Sequence, residues 1–434
     1  MKKILVFTFI LFCITVQLSA QVKTVREQAA IVNDILSDRI NNLLPSLMQQ
    51  HQVDCWVMIT REYNEDPIVK TFLPAEWLAA RRTTMLVFYN NPSTGKLEKY
   101  AVARYPVGKE ISAAWYVAKT PDQWEALMNL LHQLNPQTIA LNTSDDFAHA
   151  DGLDHTEYSK FMSYLPKAEH AKVVSAQPLA VAWLETRTKK EMEYYPELLK
   201  ITHAIIKEGF SNKVIKIDTT TTADLEWWFR QKLSDMGLTT WFHPSVEIQR
   251  RVTNSKSSEQ DIVVHRGDFL HVDFGISYLR LNSDVQEQAY ILLPNEKQVP
   301  ADLAAAFTKT NRLQDILTEN FGIGKSGNEI LANALRTAKS EGIQPSIYTH
   351  PIGFHGHAAG PTIGMWDMQT GVPGSGDYKM NPNTCYSIEL NAMHNLKEWD
   401  APVRVALEQN GFYDGKSFKF IDGRQTQIIT IVYP

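Results

Sequence analysis

The sequence predicts a chain of two domains, an α/β unit followed by a larger unit that mixes long helices with strands. Three observations lead there. Residues 30–180 alternate helical and strand-like stretches, the pattern of an α/β unit. Beyond about residue 185 a long helical stretch is followed by four short apolar runs, each interrupted by an acid, with further helices between them. Finally, 434 residues with 44% hydrophobic side chains suffice for two ordinary cores. The formal charge of −5 argues against a nucleic-acid polyanion as partner.

Residues 1–20 read as a secretory signal peptide. Met1-Lys2-Lys3 precedes an apolar run from Ile4 to Val16, too short to span a bilayer comfortably, and Ser19-Ala20 closes it. Cleavage is expected after Ala20, although Leu18 stands where a small residue is usual. The mature protein would then be exported, to the periplasm or beyond, with no stable membrane anchor. Export leaves two cysteines, Cys55 and Cys385, in different predicted domains, and whether they pair stays open.

The first domain is expected over residues 21–182. Asp38 to Gln50 reads as a helix and Asp54 to Thr60 as a strand. Thr84 to Tyr89 reads as a second strand closed by the turn Asn90-Asn91-Pro92, and Asp122 to Leu134 as a helix. No catalytic constellation is visible in this stretch. The second domain is expected over residues 183–434, where Thr186 to Glu193 opens a long helix. Leu303 to Asn320 is helical, so the glycine-rich Gly322-Ile-Gly324-Lys-Ser-Gly327 follows a helix where a dinucleotide-binding loop must follow a strand. Ser326 and Glu329 read instead as a capping box for a helix over 330–340.

The chemistry sits in the four apolar runs. Around Asp273, residues Leu270, Val272 and Phe274 alternate with polar neighbours as a half-buried strand requires. Gly275, Asn282 and Ser283 supply bend residues, and Asp284 opens a second run to Leu293, so two antiparallel strands can bring both aspartates to one spot. Cys385 to Leu390 carries Glu389 opposite Ile388 and Leu390. Val403 to Glu408 carries Glu408 on the face of Arg404 and Ala406. Buried carboxylates must be paired or bound to cations, and four in one place would repel one another unless positive charge intervened. Two divalent cations balance four carboxylates. A further candidate ligand, His350, opens Tyr348-Thr-His350-Pro-Ile-Gly353-Phe-His355-Gly-His357-Ala-Ala-Gly360, where three histidines lie among glycines that allow close backbone approach. Oxygen donors with one imidazole suit Mn²⁺, Co²⁺, Fe²⁺ or Zn²⁺ rather than metals that want thiolates.

These residues resemble the pita-bread metallopeptidase family, which includes methionine aminopeptidase, Xaa-Pro aminopeptidase and prolidase, and also the metal-free creatinase. The family pattern is an Asp in Asp-x-Gly, a second Asp eleven residues on, a His in His-x-x-Gly, a Glu after Ile and a final Glu shortly after Arg. It falls on Asp273, Asp284, His350, Glu389 and Glu408, with a second histidine seven residues on at His357. The resemblance covers about residues 185–410. It implies an α/β N-terminal domain of the creatinase type followed by an α+β pita-bread catalytic domain. It also implies two divalent metal ions, Mn²⁺ foremost, on Asp273, Asp284, His350, Glu389 and Glu408. Short peptides would be hydrolysed by an activated water, with Glu389 shuttling the proton and His357 serving the oxyanion or orienting the peptide. A homodimer is also implied, whereas His355, outside the pattern, is expected to matter least.

The chain departs from the pattern in places. Arg404 and Glu408 are four apart where Arg-x-Glu is usual, Ala358 replaces a Glu after the second histidine, and Ser255 to Asp261 lacks the histidine of Xaa-Pro enzymes. An Xaa-Pro aminopeptidase, a prolidase-like dipeptidase and a non-catalytic binding protein on the same fold therefore all stay open. The 26 residues after Glu408 have no assigned role.

Overall fold

The computed structural model describes residues 22–251, 262–399 and 401–433. The expected leader, its cleavage point and the stretch from Ser255 to Asp261 lie outside the described residues.

The first domain is built on a six-stranded mixed sheet. Its central strand, Cys55–Arg61, pairs antiparallel with Thr83–Asn91 and parallel with Ile139–Leu141. Helices cover both faces. On one side Val25–Asp38 and Leu44–Gln50, continuous through a π-helical turn at Arg39–Leu43, pack with Gln177–Glu185 around Trp56, Phe72 and Trp183. On the other side Gln123–Leu134 and His155–Tyr164 cover Val57, Val87 and Leu141. The expected strands and the helix at 123–134 are present, and Asp122 caps that helix by accepting from the N–H groups of Trp124 and Glu125. The first helix starts earlier than its predicted Asp38, at Val25, because Thr24 and Glu27 form a capping box there. Cys55 and Cys385 are both buried and unpaired, so no disulfide joins the two domains.

Lys189–Gly209 opens the second domain behind a Thr188–Glu191 capping box, and Ser326 with Glu329 caps Gly327–Ser340 as the sequence predicts. Three sheets fill the space between the helices, two of them sharing one long hairpin. The first sheet runs Ile429–Ile431, Val285–Ile291, Phe269–Phe274 and Ser245–Gln249. The hairpin pairs Thr384–Ser387 with Asn410–Tyr413 and Leu390–His394 with Val403–Leu407. Helices Lys189–Gly209 and Thr222–Asp235 cover one side, and Ala301–Glu319 and Gly327–Ser340 the other. The result is the α+β arrangement expected of this half.

Three details differ from the sequence reading. Between the aspartates lies a small hairpin, Ser277–Tyr278 with Leu281–Asn282, whose turn residues are Leu279 and Arg280, both at positive φ (55° and 60°). Arg280 donates to the carbonyls of Leu73 (2.5 Å) and Pro74 (3.0 Å), so contacts with the first domain help hold a turn that usually asks for Gly or Asn. Glu389 and Glu408 are not inside strands: each lies where the long hairpin breaks and changes sheet. Lastly, the unassigned tail closes the edge of the aspartate sheet. Ile429–Ile431 pairs parallel with Ala289–Ile291, and the Gln425 side chain engages both backbone groups of Gln288.

Candidate metal centre

Asp273 lies in a regular ladder opposite Gln286, and Asp284 immediately precedes the strand that carries Gln286. The Asp284 N–H donates to Asn410 Oδ1 at 3.0 Å, fixing the backbone at the mouth of the site. His350 begins a two-residue strand paired with Ser387. The hairpin breaks are held from outside, as buried backbone groups require. The Glu389 carbonyl accepts from Tyr348 N–H (3.1 Å) and from the Thr349 hydroxyl (2.9 Å), while Glu408 exchanges both backbone hydrogen bonds with Gln286 (3.0 and 3.3 Å).

The structure brings all six sequence-predicted side chains together. Donor atoms of Asp273, Asp284 and Glu408 lie within 4.8 Å of one another, as do those of His350, Glu389 and Glu408, and those of Asp284, His350 and His357. His350 Nε2 stands 3.6 Å from Asp284 Oδ2 and 3.8 Å from Glu408 Oε1. Its Nδ1 faces the Pro351 carbonyl at 3.0 Å, which assigns the proton to Nδ1 and leaves the Nε2 lone pair toward the carboxylates. His350 Nε2 and Asp273 Oδ1 are buried without a hydrogen-bond partner among the described residues.

The electrostatics point the same way. Burial first, then the neighbouring carboxylates, pushes Asp284 and Glu408 well above the ordinary carboxyl range; burial also raises Glu389, and raises Asp273 against the opposing charges of His271 and Arg404. Burial, with His357 adding to it, lowers His350 to about 3, so its imidazole is neutral and able to ligate. A protein-only cluster of this kind keeps its protons or takes up cations. The orphaned imidazole nitrogen and carboxylate oxygen, with four carboxylates around them, fit divalent metal of the harder first-row type.

The sequence reading named His357 but not the residues around it, nor two contributors from elsewhere. His357 is exposed toward the cleft, edge-on to His350 (ring centroids 4.6 Å) and to Trp241 (5.0 Å), with Tyr348 Oη 3.4 Å from its Nε2. Trp241 Nε1 donates to the Ser283 carbonyl, and a Cβ on Gly356 would strike the Trp241 ring at 2.2 Å, so that glycine is what lets the histidine loop lie against it. The first domain, silent in sequence, sends His149 to stack on His355 at 4.2 Å. Gln286, buried on the aspartate sheet, donates to both glutamates. Its only sequence signal is a polar residue two positions after Asp284, on the same strand face.

The sequence profile of metallopeptidase family M24 matches residues 196–421, more than half of the chain and a span holding all six clustered side chains. The chain belongs to this family. The metal dependence of this family agrees with the donor set, and the second domain is its pita-bread fold. No curated protein matches the chain at a significant level. Among solved structures, an X-Pro aminopeptidase from Thermotoga maritima MSB8 is similar at 14% identity and a TM-score of 0.60, over 89% of this chain and 98% of that one. Dipeptidase PepE from Mycobacterium ulcerans is similar at 14% identity and 0.59, over 93% and 99%. An Xaa-Pro dipeptidase from Bacillus anthracis is similar at 13% identity and 0.55, over 94% and 100%. At such identities the likeness establishes the shared two-domain architecture. No helix among the described residues is long and apolar enough to cross a membrane.

Proposed function

We propose that this M24 peptidase is an exported dinuclear enzyme, an aminopeptidase of the Xaa-Pro type that acts on short peptides with Mn²⁺ as its metal. The observation that carries this reading is the buried cluster of Asp273, Asp284, His350, Glu389 and Glu408, whose donors converge while His350 Nε2 and Asp273 Oδ1 have no partner among the described residues. Two divalent ions held there would lower the pKa of a shared water and polarise a peptide carbonyl. Glu389, at the hairpin break, would take and return a proton of the attacking water. His357, on the cleft side of His350, is placed to donate to the oxygen of the breaking amide or to orient the peptide. Trp241 and Tyr348 flank His357, with ring centroids at 5.0 and 5.6 Å. Export rests on the basic, apolar and small-residue succession of residues 1–20.

A prolidase-like dipeptidase is the second reading. It is favoured by the stack of His149 on His355, which brings the first domain against the site and bounds the cleft from both domains. A non-catalytic binding protein on this fold would have no need of the five ligands, and all are present.

Metal analysis of the protein purified without chelator, followed by digestion of a peptide library, tests these readings. Two equivalents of Mn²⁺ and release of the residue preceding a penultimate proline are expected. Cleavage confined to dipeptides would select the second reading, and metal-free protein with no hydrolysis would reject both. Export predicts a mature N-terminus near Gln21, so Met1 intact on cytoplasmic protein would reject it.

A further inference from the structure

Behind the glutamates lies a chain of polar groups that the metal-centre reading does not use. Gln286 is 2% exposed and faces Asp273 across the ladder. Its Nε2 lies 3.0 Å from Glu389 Oε1 and 2.8 Å from Glu408 Oε2, so the two amide hydrogens are divided between the two glutamates. Its Oε1 lies 2.8 Å from Nε2 of His271, itself buried on the neighbouring strand, and His271 Nδ1 is 3.6 Å from Glu247 Oε2. Glu247 also meets Arg404 at 3.4 Å.

The orientation of the amide follows from its surroundings once cations hold both glutamates ionised. Were it turned over, its oxygen would then face two carboxylates, acceptor against acceptor, and its NH₂ would face His271. With the NH₂ on the glutamates, Oε1 accepts from the His271 Nε2–H, and every polar atom of the side chain has a partner. Gln286 also holds the Glu408 backbone through both of its hydrogen bonds. The two glutamates come from breaks in opposite arms of the hairpin, where no ladder fixes their spacing. One amide bonded to both supplies it.

We infer that Gln286 is a positioning residue for the metal centre: locked by His271, its amide sets the separation of Glu389 and Glu408 so that the site accepts both cations. The inference rests on the metal-centre reading above. Residues that orient metal ligands typically account for about 10- to 100-fold in metal affinity.

The test separates positioning from simple stability. Chelator-stripped protein is titrated with Mn²⁺ by calorimetry, and its unfolding temperature is measured without metal. Gln286→Met should bind the weaker of the two ions about 10- to 100-fold less tightly. It should also lower the metal-free unfolding temperature, because the His271 N–H loses its acceptor. Adding His271→Leu removes both partners and should restore that temperature while leaving Mn²⁺ affinity at the Gln286→Met level. His271→Leu alone should weaken Mn²⁺ binding less than Gln286→Met, since the freed amide can still reach both glutamates. Wild-type Mn²⁺ affinity in Gln286→Met would overturn the inference. So would a double variant that regains affinity together with stability, and this arm decides if the single variant does not fold. Wild-type protein that takes up no Mn²⁺ would instead defeat the metal-centre reading itself.

Discussion

The aspartate sheet and the glutamate hairpin deliver the same kind of side chain, a buried carboxylate, by different means. Asp273 sits in an unbroken ladder, and Asp284 one residue before its partner strand, so regular pairing fixes their short side chains. Glu389 and Glu408 sit where the hairpin between Thr384 and Tyr413 breaks at 388–389 and 408–409 and passes from one sheet to the other. There, longer side chains reach the site from backbone held by neighbours: Tyr348, Thr349 and Gln286. Regular alternation can thus position an acid alone, whereas an acid at a break depends on residues distant in sequence.

The largest expected effects test whether both halves carry ligands. Asp284→Ala and Glu389→Ala should each lose at least one ion and abolish peptide hydrolysis. Both should keep the far-ultraviolet circular dichroism of the fold, because the backbone groups that hold each position belong to other residues. Metal content and turnover on the two variants check this; an active, metal-free Asp284→Ala protein would sink the ligand assignment.

That contrast explains what was legible in the sequence. The aspartate strands could be read because Leu270, Val272 and Phe274 alternate around Asp273, and a strand with this period declares its faces. The same rule places Glu389 and Glu408 inside strands, since Ile388, Leu390 and Leu407 are buried on either side of each break. Nothing local distinguishes a continuous strand from one that changes sheet. The Leu279–Arg280 turn was hidden for a related reason: contacts with Leu73 and Pro74, two hundred residues away, help hold a conformation that neither residue favours. His149 and Gln286 were missed because their importance lies wholly in which distant side chains they meet.

A smaller but still large effect should divide the histidines. His350 stands between the aspartate and glutamate halves, so His350→Ala should lower metal occupancy. His357→Ala should keep both ions and lose roughly 10²- to 10³-fold in kcat, the usual cost of one oxyanion donor. Metal content measured alongside kcat on both variants decides it, and loss of metal from His357→Ala with retention in His350→Ala would reverse the two roles.

Removing the metals should expose the repulsion that both halves share. Burial pushes Glu389 up to about 8 and holds Asp284 and Glu408 well above the ordinary carboxyl range. A carboxyl whose pKa is raised on folding binds its proton more tightly in the folded state. Its contribution to stability is therefore present below the unfolded value, about 4, and is lost as pH rises through the folded value. The unfolding temperature of chelated protein should fall between about pH 4 and about pH 8, and Mn²⁺ should flatten that slope. Asp284→Asn and Glu408→Gln in the chelated protein should each reduce it, and the larger reduction shows which half bears more of the strain. A chelated protein equally stable across this range would mean that the carboxylates are relieved by something other than cations.

The smallest expected effect lies outside both halves, where the first domain reaches the cleft. His149 meets the site through its stack on His355, and burial lowers the pKa of both imidazoles, with His355 at about 3. Neither ring is among the clustered metal donors, so neither variant should change metal content. An aromatic pair is worth about 0.5–1.5 kcal/mol, which converts to roughly two- to tenfold in binding. His149→Ala should accordingly raise KM by that factor with kcat nearly kept, and His355→Ala should do the same. Because the two rings act as one contact, the double variant should cost little more than either single change. A kcat loss as deep as that of His357→Ala would instead make the first domain a direct participant in the chemistry.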